Sequence, residues 1–392
     1  MDKPPLIWRI SLSISFIVVF LIVIEVLSVI YVKIAIRKGT LQNAEEVAAL
    51  PVYKSEPWGA TYWRDEVDAF NVVYEPYVLW KRAPYQGETI TIDEDGLRRT
   101  THSECTAQNY TIWAFGGSTM WGQGSPDWLT IPSLLAEKYE KSGKSVCVKN
   151  FGTNAWVNTQ EVIKLMLELK HAPRKPDLVI FYDGFNDTYS LYQSGMVDVP
   201  LNNDLIKRKL EVGYPVQQAW NHAHFSELRL ISYFLQQMKI GQIIIQLGAK
   251  LRKAQSGSRP AFSRQLDSEQ IHAQLDSAYL KNMEVVGALA QQYGFKFVFF
   301  WQPVILVGHK QLSVEEEVAL KKTLSDFGGI QTAFQEMYDL AQKQKDRPGF
   351  FDIADVLDKY KGTFYIDFAH LTPEGNSLVA DRIFDVLHNR AM

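Results

Sequence analysis

From about residue 110 the chain alternates short, densely apolar runs with longer stretches whose apolar positions recur every three or four residues. The runs are TIWAF (111–115), VCVKNF (146–151), DLVIFY (177–182) and KFVFFW (296–301). A run that is apolar on both sides suits a strand covered on both faces, and the 3.6-residue period between runs suits the covering helices. The stretches DWLTIPSLLAEKYEKSG, TQEVIKLMLELKHA and IHAQLDSAYLKNMEVVGALAQQYG carry that period. The expected architecture is α/β, with a parallel sheet between two helical layers and right-handed crossovers that make the first two strands neighbours. Ser313 and Glu316 form a capping box before VEEEVALKKTL, and Thr372-Pro373 opens a final helix toward His388. Residues 188–270, a mixed stretch containing QSGSRP, interrupt the alternation and read as an insertion over the strand ends.

In an open parallel sheet the loops at the carboxyl ends of the strands meet at one edge, where ligands bind. Four loops here end in chemically suggestive residues: Gly116-Gly117-Ser118, Asn150-Phe151-Gly152, YDGFND (182–187) and YIDFAHLTPEGN (365–376), in which Asp367 precedes His370 by three. A serine hydroxyl is a weak nucleophile near neutral pH. It needs a base within hydrogen-bond reach and a third group to orient that base, roles that His370 and Asp367 fit. Acyl transfer also needs donors for the developing oxyanion, and the backbone N–H groups of Ser118 and Gly152 and the side-chain amide of Asn186 are candidates. Alone, Gly-Gly-Ser is an ordinary turn, Asn186 an ordinary loop amide and His370 one histidine among eight.

Taken together and in order, FGGST, NFGTN, DGFND and DFAH resemble the four blocks of the SGNH (GDSL-like) hydrolases. The resemblance covers roughly residues 72–390, with GLRRT and WQPV included. It implies the three-layer, flavodoxin-like fold of that family, with Ser118 as nucleophile, Gly152 and Asn186 as oxyanion residues, and Asp367 and His370 as the Asp-x-x-His pair. The first block departs from Gly-Asp-Ser by placing Gly117 where the family has Asp, and the 188–270 stretch lies outside the minimal fold; both leave substrate identity open.

Other polar residues carry weaker signals. Asp187 reads as a brace for its loop, and Gln302, after the last strand, either reaches the active edge or caps the strand. His222 and His224 lack a Cys or acidic ligand set and read as a solvated helix face, so no metal and no cofactor is expected.

The amino terminus departs from the globular pattern. ISLSISFIVVFLIVIEVLSVIYV (10–32) carries a single charge, Glu25, and at about 1.5 Å per residue it can cross roughly 30 Å of hydrocarbon. It reads as an uncleaved single-pass anchor, with a signal peptide as the rival. Glu25 is costly at mid-bilayer, so it either leans toward the interface near Lys33 or meets a membrane-protein partner. The domain boundaries expected are an anchor over 1–36, a stalk or linker over 37–71 and a catalytic domain over 72–392; residues 58–100, rich in aromatics, read as a lead-in packed on that domain.

Basic residues flanking the span slightly favour a cytoplasmic body. Cys105 and Cys147, the only two cysteines, point the other way if they pair, and remain two buried thiols if they do not. The sequon NDT (186–188) would put a glycan on a proposed oxyanion donor, which favours a bacterial envelope and a periplasmic body. A formal charge of −3 offers no basic field for nucleic acid. The expected partners are therefore the bilayer and a small-molecule or glycan ester. The expected function is a membrane-anchored serine esterase working through an acyl-enzyme. The alternatives are an O-acyltransferase that moves an acetyl group onto an envelope glycan, and an inactive binding protein.

Overall fold

The computed structural model describes residues 6–207, 210 and 268–389. Most of the stretch expected as an insertion, together with His222 and His224, lies outside the described residues. Five strands, β1 to β5 in chain order, span Tyr110–Gly116, Val146–Asn150, Leu178–Asp183, Lys296–Trp301 and Phe350–Asp352. They form one sheet, all parallel, in the order β2-β1-β3-β4-β5. This is the flavodoxin-like winding, with a switch point between β1 and β3. Every residue of β3 is buried, as a central strand covered on both faces requires. Across the sheet Phe151, Phe115, Phe181 and Phe299 stack in one row, with ring centroids 4.3 to 5.4 Å apart.

Helices Ile131–Lys141, Asn158–His171, Lys281–Tyr293 and Pro373–Asn389 bury an apolar stripe each against the sheet or its neighbours. The Ser313 and Glu316 capping box forms as its spacing predicts. Glu316 does more than cap, because its Oε1 accepts from the N–H groups of Phe364 and Tyr365 at 2.8 and 3.1 Å. Lys310 neutralises this buried carboxylate. The segment leading to Asp367 and His370 is thereby pinned from outside the sheet.

The chain divides into two compact units, one holding residues 1–43 and 205–259 and the other holding 44–204 and 260–392. In the first, most of the described residues belong to the helix Leu6–Ala48, whose stretch Val18–Ala35 is long and apolar enough to cross a membrane. The second unit begins earlier than expected. Residues 44–71 are not a stalk. Helices Pro51–Lys54 and Gly59–Ala69 bury Tyr53, Tyr62, Trp63 and Ala69 in a second apolar cluster with Ile90, Ile92 and Trp121. The aromatic content of this segment supplies a core that a polar stalk would lack. A hairpin of Val72–Glu75 and Leu79–Arg82 follows, then a short pair, Tyr85–Gln86 with Thr91–Ile92. A turn at Asp95-Gly96 follows, with Gly96 at φ +83°.

If residues 44–71 belong to the folded body, Trp63→Ala should lower its unfolding free energy by about 3–5 kcal/mol in denaturant titrations. A change below about 0.5 kcal/mol, usual for an exposed site, would return this segment to a stalk.

Candidate active site

β1 ends at Gly116, and the chain turns at Gly117 into a single helical turn, Ser118–Trp121. Ser118 is the first residue of that turn, so its N–H has no partner within the helix. Gly117 is required by space: a Cβ there would lie 2.3 Å from Asn186 Nδ2 and 3.7 Å from the Trp156 carbonyl oxygen. The Asn186 amide and the segment ending at Trp156 therefore sit beside the nucleophile candidate.

The fourth loop arrives from the far end of the chain. His370 Nε2 is 2.7 Å from Ser118 Oγ, and His370 Nδ1 is 2.6 Å from Asp367 Oδ2. A carboxylate can only accept, so Nδ1 carries the proton and Nε2 is left to accept from the Ser118 hydroxyl. Asp367 Oδ1 accepts from the N–H groups of Ala369 and His370, both at 2.8 Å, which fixes the carboxylate before it meets the ring. Burial pulls the His370 imidazole down, but the facing Asp367 charge and hydrogen bond, with Glu66 farther away, hold it above its ordinary pKa. For Asp367, burial raises the pKa, but His370 and the two N–H groups win and hold it below the usual carboxylate range. The pair is thus biased toward imidazolium and carboxylate, the charge state a general base reaches after taking a proton.

Asn186 lies near the start of helix Phe185–Ser194, and its Nδ2 donates to Trp156 O at 2.6 Å, leaving a second amide hydrogen. Gly152 differs from expectation. Its N–H donates to Asn150 Oδ1 at 2.9 Å, and a Cβ on it would lie 2.3 Å from Trp121 N. It is the residue that lets this loop pack against the serine's helical turn, and its N–H is already committed. Three residues on, half-buried Ala155 has φ +63°, and among the described hydrogen bonds its N–H takes part in none. A non-glycine residue held there costs on the order of 1–3 kcal/mol, a strain that concentrates at functional sites. The only sequence cue was position, since alanine does not announce a left-handed conformation.

The supporting residues also resolve. Gln302 Oε1 accepts from Thr119 Oγ1 at 2.9 Å, so Gln302 braces the residue after Ser118 while its buried Nε2 is unpartnered. Asp187 Oδ1 accepts from Asn158 N at 3.0 Å, and burial pushes its pKa up to about 6. Beneath the Asn186 loop, Asp183 Oδ2 accepts from Asn158 Nδ2 at 2.8 Å and from the Tyr279 hydroxyl at 3.2 Å. Glu161 is buried close by with neither carboxyl oxygen hydrogen-bonded, and burial first, then neighbouring carboxylates, push both Glu161 and Asp183 well up.

Arg98, in the GLRRT stretch, had no assigned role. It is buried and caps the serine's turn, donating to Trp121 O, Gly122 O and Ser125 O at 3.2, 2.8 and 2.6 Å while paired with Asp127 at 3.0 Å. Cys105 and Cys147 are joined by a disulfide, which ties the loop before β1 to β2. Among the described residues no cluster of His, Cys, Asp or Glu is arranged to hold a metal ion.

Neither a known protein-family profile nor any curated protein sequence matches the chain. Solved structures similar to it include a lipolytic protein of the G-D-S-L family from Veillonella parvula, with 12% identity over 71% of this chain and 98% of that one, at a TM-score of 0.36. Others are a carbohydrate acetylesterase family member from Sinorhizobium meliloti, with 14% identity over 71% and 96% at a TM-score of 0.36, and a lipase/acylhydrolase from Enterococcus faecalis, with 14% identity over 71% and 96% at a TM-score of 0.36.

Two titrations test these electrostatics. In histidine-labelled protein, the His370 ring should titrate above its ordinary value of about 6.5, and Asp367→Asn should move the midpoint down; an unmoved midpoint contradicts the pairing. Glu161 and Asp183 hold protons in the folded state that the unfolded chain releases. Their contribution to stability is therefore full below about pH 4 and lost as pH rises toward their folded values. Glu161→Gln, which removes one of the two buried carboxyl groups, should flatten the fall of Tm with rising pH, and an unchanged slope would contradict the raised pKa of Glu161.

Proposed function

We propose that the chain is a membrane-anchored serine esterase that cleaves O-acyl esters through an acyl-enzyme on Ser118. The observation that carries this reading is the unbroken hydrogen-bonded line from Asp367 through His370 to Ser118 Oγ. The hydroxyl proton passes to His370 Nε2 as Oγ bonds to the ester carbonyl carbon, and the carbonyl electron pair moves onto oxygen. That oxyanion is met by the Ser118 N–H and the free Asn186 amide hydrogen, with the Ala155 N–H in the role first expected of Gly152. Collapse expels the alcohol, which takes the proton back from His370, and the acyl group stays on Ser118. A second nucleophile, activated by the same imidazole, then releases it.

Water as that nucleophile makes an esterase; a glycan hydroxyl makes an O-acyltransferase with no change in the first half of the cycle. The span Val18–Ala35 supports attachment to a bilayer, and the Cys105 to Cys147 disulfide supports a body on an oxidising side of it. These features fit an envelope O-acetyl or other O-acyl ester as substrate.

A fluorophosphonate probe should label the native protein and neither Ser118→Ala nor His370→Ala; equal labelling of Ser118→Ala would refute the nucleophile. With p-nitrophenyl acetate, Asn186→Ala should lower kcat by roughly 10² to 10³. Product analysis with candidate glycans present separates acetate release from transfer.

A further inference from the structure

The segment Asn154–Trp156 holds a strained backbone, and the contacts that hold it come from outside the sheet. Trp80 Nε1 donates to Asn154 O at 2.9 Å, and Trp156 Nε1 donates to Trp80 O at 3.1 Å. Arg82 Nε donates to Asn154 Oδ1 at 2.8 Å. Trp80 and Arg82 lie two residues apart on one strand of the hairpin that precedes the catalytic fold, so one extended strand grips Asn154 through both its carbonyl and its side chain. Farther along the loop's helix, Gln160 Nε2 donates to Val78 O at 2.7 Å on the same hairpin.

Arg82 is itself rigidly placed. It is fully buried, donates to Ala69 O at 3.1 Å, and lies over the Phe70 and Trp121 rings at 4.5 and 4.4 Å. Trp121 closes the helical turn that begins at Ser118, so the guanidinium touches both the serine's turn and the neighbouring loop. On its other side, Asn154 Nδ2 donates to Gln123 Oε1 at 2.8 Å, just past the same turn. The loop meets the catalytic edge directly, because Trp156 O accepts the Asn186 amide.

We infer that Trp80 and Arg82 are positioning residues that hold Asn154–Trp156 so that the Ala155 N–H faces the oxyanion of the acyl-transfer transition state. A left-handed alanine between two anchored neighbours is a conformation imposed by its surroundings. Without the grip on Asn154 the peptide before Ala155 is free to rotate toward the ordinary region, and rotation of that peptide carries the N–H away. Neither Trp80 nor Arg82 needs to touch substrate. The hairpin thereby makes the segment ahead of the sheet part of the catalytic machinery.

The inference rests on the esterase reading, and its test separates the two. The full-length protein in detergent is assayed with p-nitrophenyl acetate, and kcat is expressed per site labelled by a fluorophosphonate. Trp80→Phe keeps an aromatic side chain and removes the N–H to Asn154; Arg82→Lys keeps the charge and removes the Nε donor to Asn154 and the Nη1 donor to Ala69. Each should lower kcat per labelled site by about 10-fold to 10²-fold, the range expected for a misplaced catalytic group, with KM changed less than about twofold. The losses from Arg82→Lys and Asn154→Ala should combine to less than their product in the double variant, because both remove the Arg82 Nε to Asn154 Oδ1 contact. Native kcat per labelled site in Trp80→Phe and Arg82→Lys overturns the inference, as does a loss confined to the labelled fraction. If Ser118→Ala keeps native activity, the esterase reading fails instead.

Discussion

The hydrogen bond between His370 Nε2 and Ser118 Oγ joins residues 252 positions apart, and the rest of the structure can be read as the means of keeping them 2.7 Å apart. One partner is fixed by the sheet, since β1 runs buried to Gly116 and delivers Ser118 at its carboxyl end. The other is fixed by a chain of local contacts. Glu316 holds the backbone at Phe364 and Tyr365, Asp367 holds the N–H of His370, and Thr372 N donates to Phe364 O at 2.7 Å. A pair this distant in sequence can be prealigned only if both ends are tied to the same rigid frame.

That frame is polar as well as apolar. Two arginines bracket Trp121, with Arg82 and Arg98 at 4.4 and 4.2 Å from its ring, and both are buried. Burying a guanidinium is costly unless its donors are met, and here most of them meet backbone carbonyls or side chains around the serine's turn. Burial raises the pKa of both Asp183 and Glu161, and Asn158 and Tyr279 donate to Asp183 Oδ2. These groups resist rearrangement because any shift strands a buried donor or carboxyl.

The parts of this molecule that depend on local pattern could be read from residues alone. Continuous apolar runs mark β1 to β4, the Ser313 and Glu316 spacing marks a cap, and three of the four short blocks mark Ser118, Asn186, Asp367 and His370, with the Ser118–His370–Asp367 hydrogen bonds formed in the fold. What escaped depends on contacts across long separations. β5, three residues long, is too short to carry a period. Gly152 looked like an oxyanion donor because glycine permits close approach; it does approach closely, but to the Trp121 backbone, and its N–H meets Asn150. Ala155 gave no sign because its φ of +63° is set by neighbours, among them Trp80 and Arg82 about 75 residues earlier. Residues 44–57 look like a stalk because they are mostly polar and alanine-rich, yet Tyr53 buries with Tyr62 and Trp63 of the aromatic lead-in.

A covalent bond at Ser118 is the centre of the mechanism, and its direct measurement is rapid-quench mass spectrometry of the protein mixed with p-nitrophenyl acetate. An acetyl group is expected on the peptide carrying Ser118, formed within the first turnover and absent from Ser118→Ala and His370→Ala. Full turnover of ester by the native protein with no acetyl ever found on that peptide, or acetyl on another residue at the same rate, would contradict that mechanism.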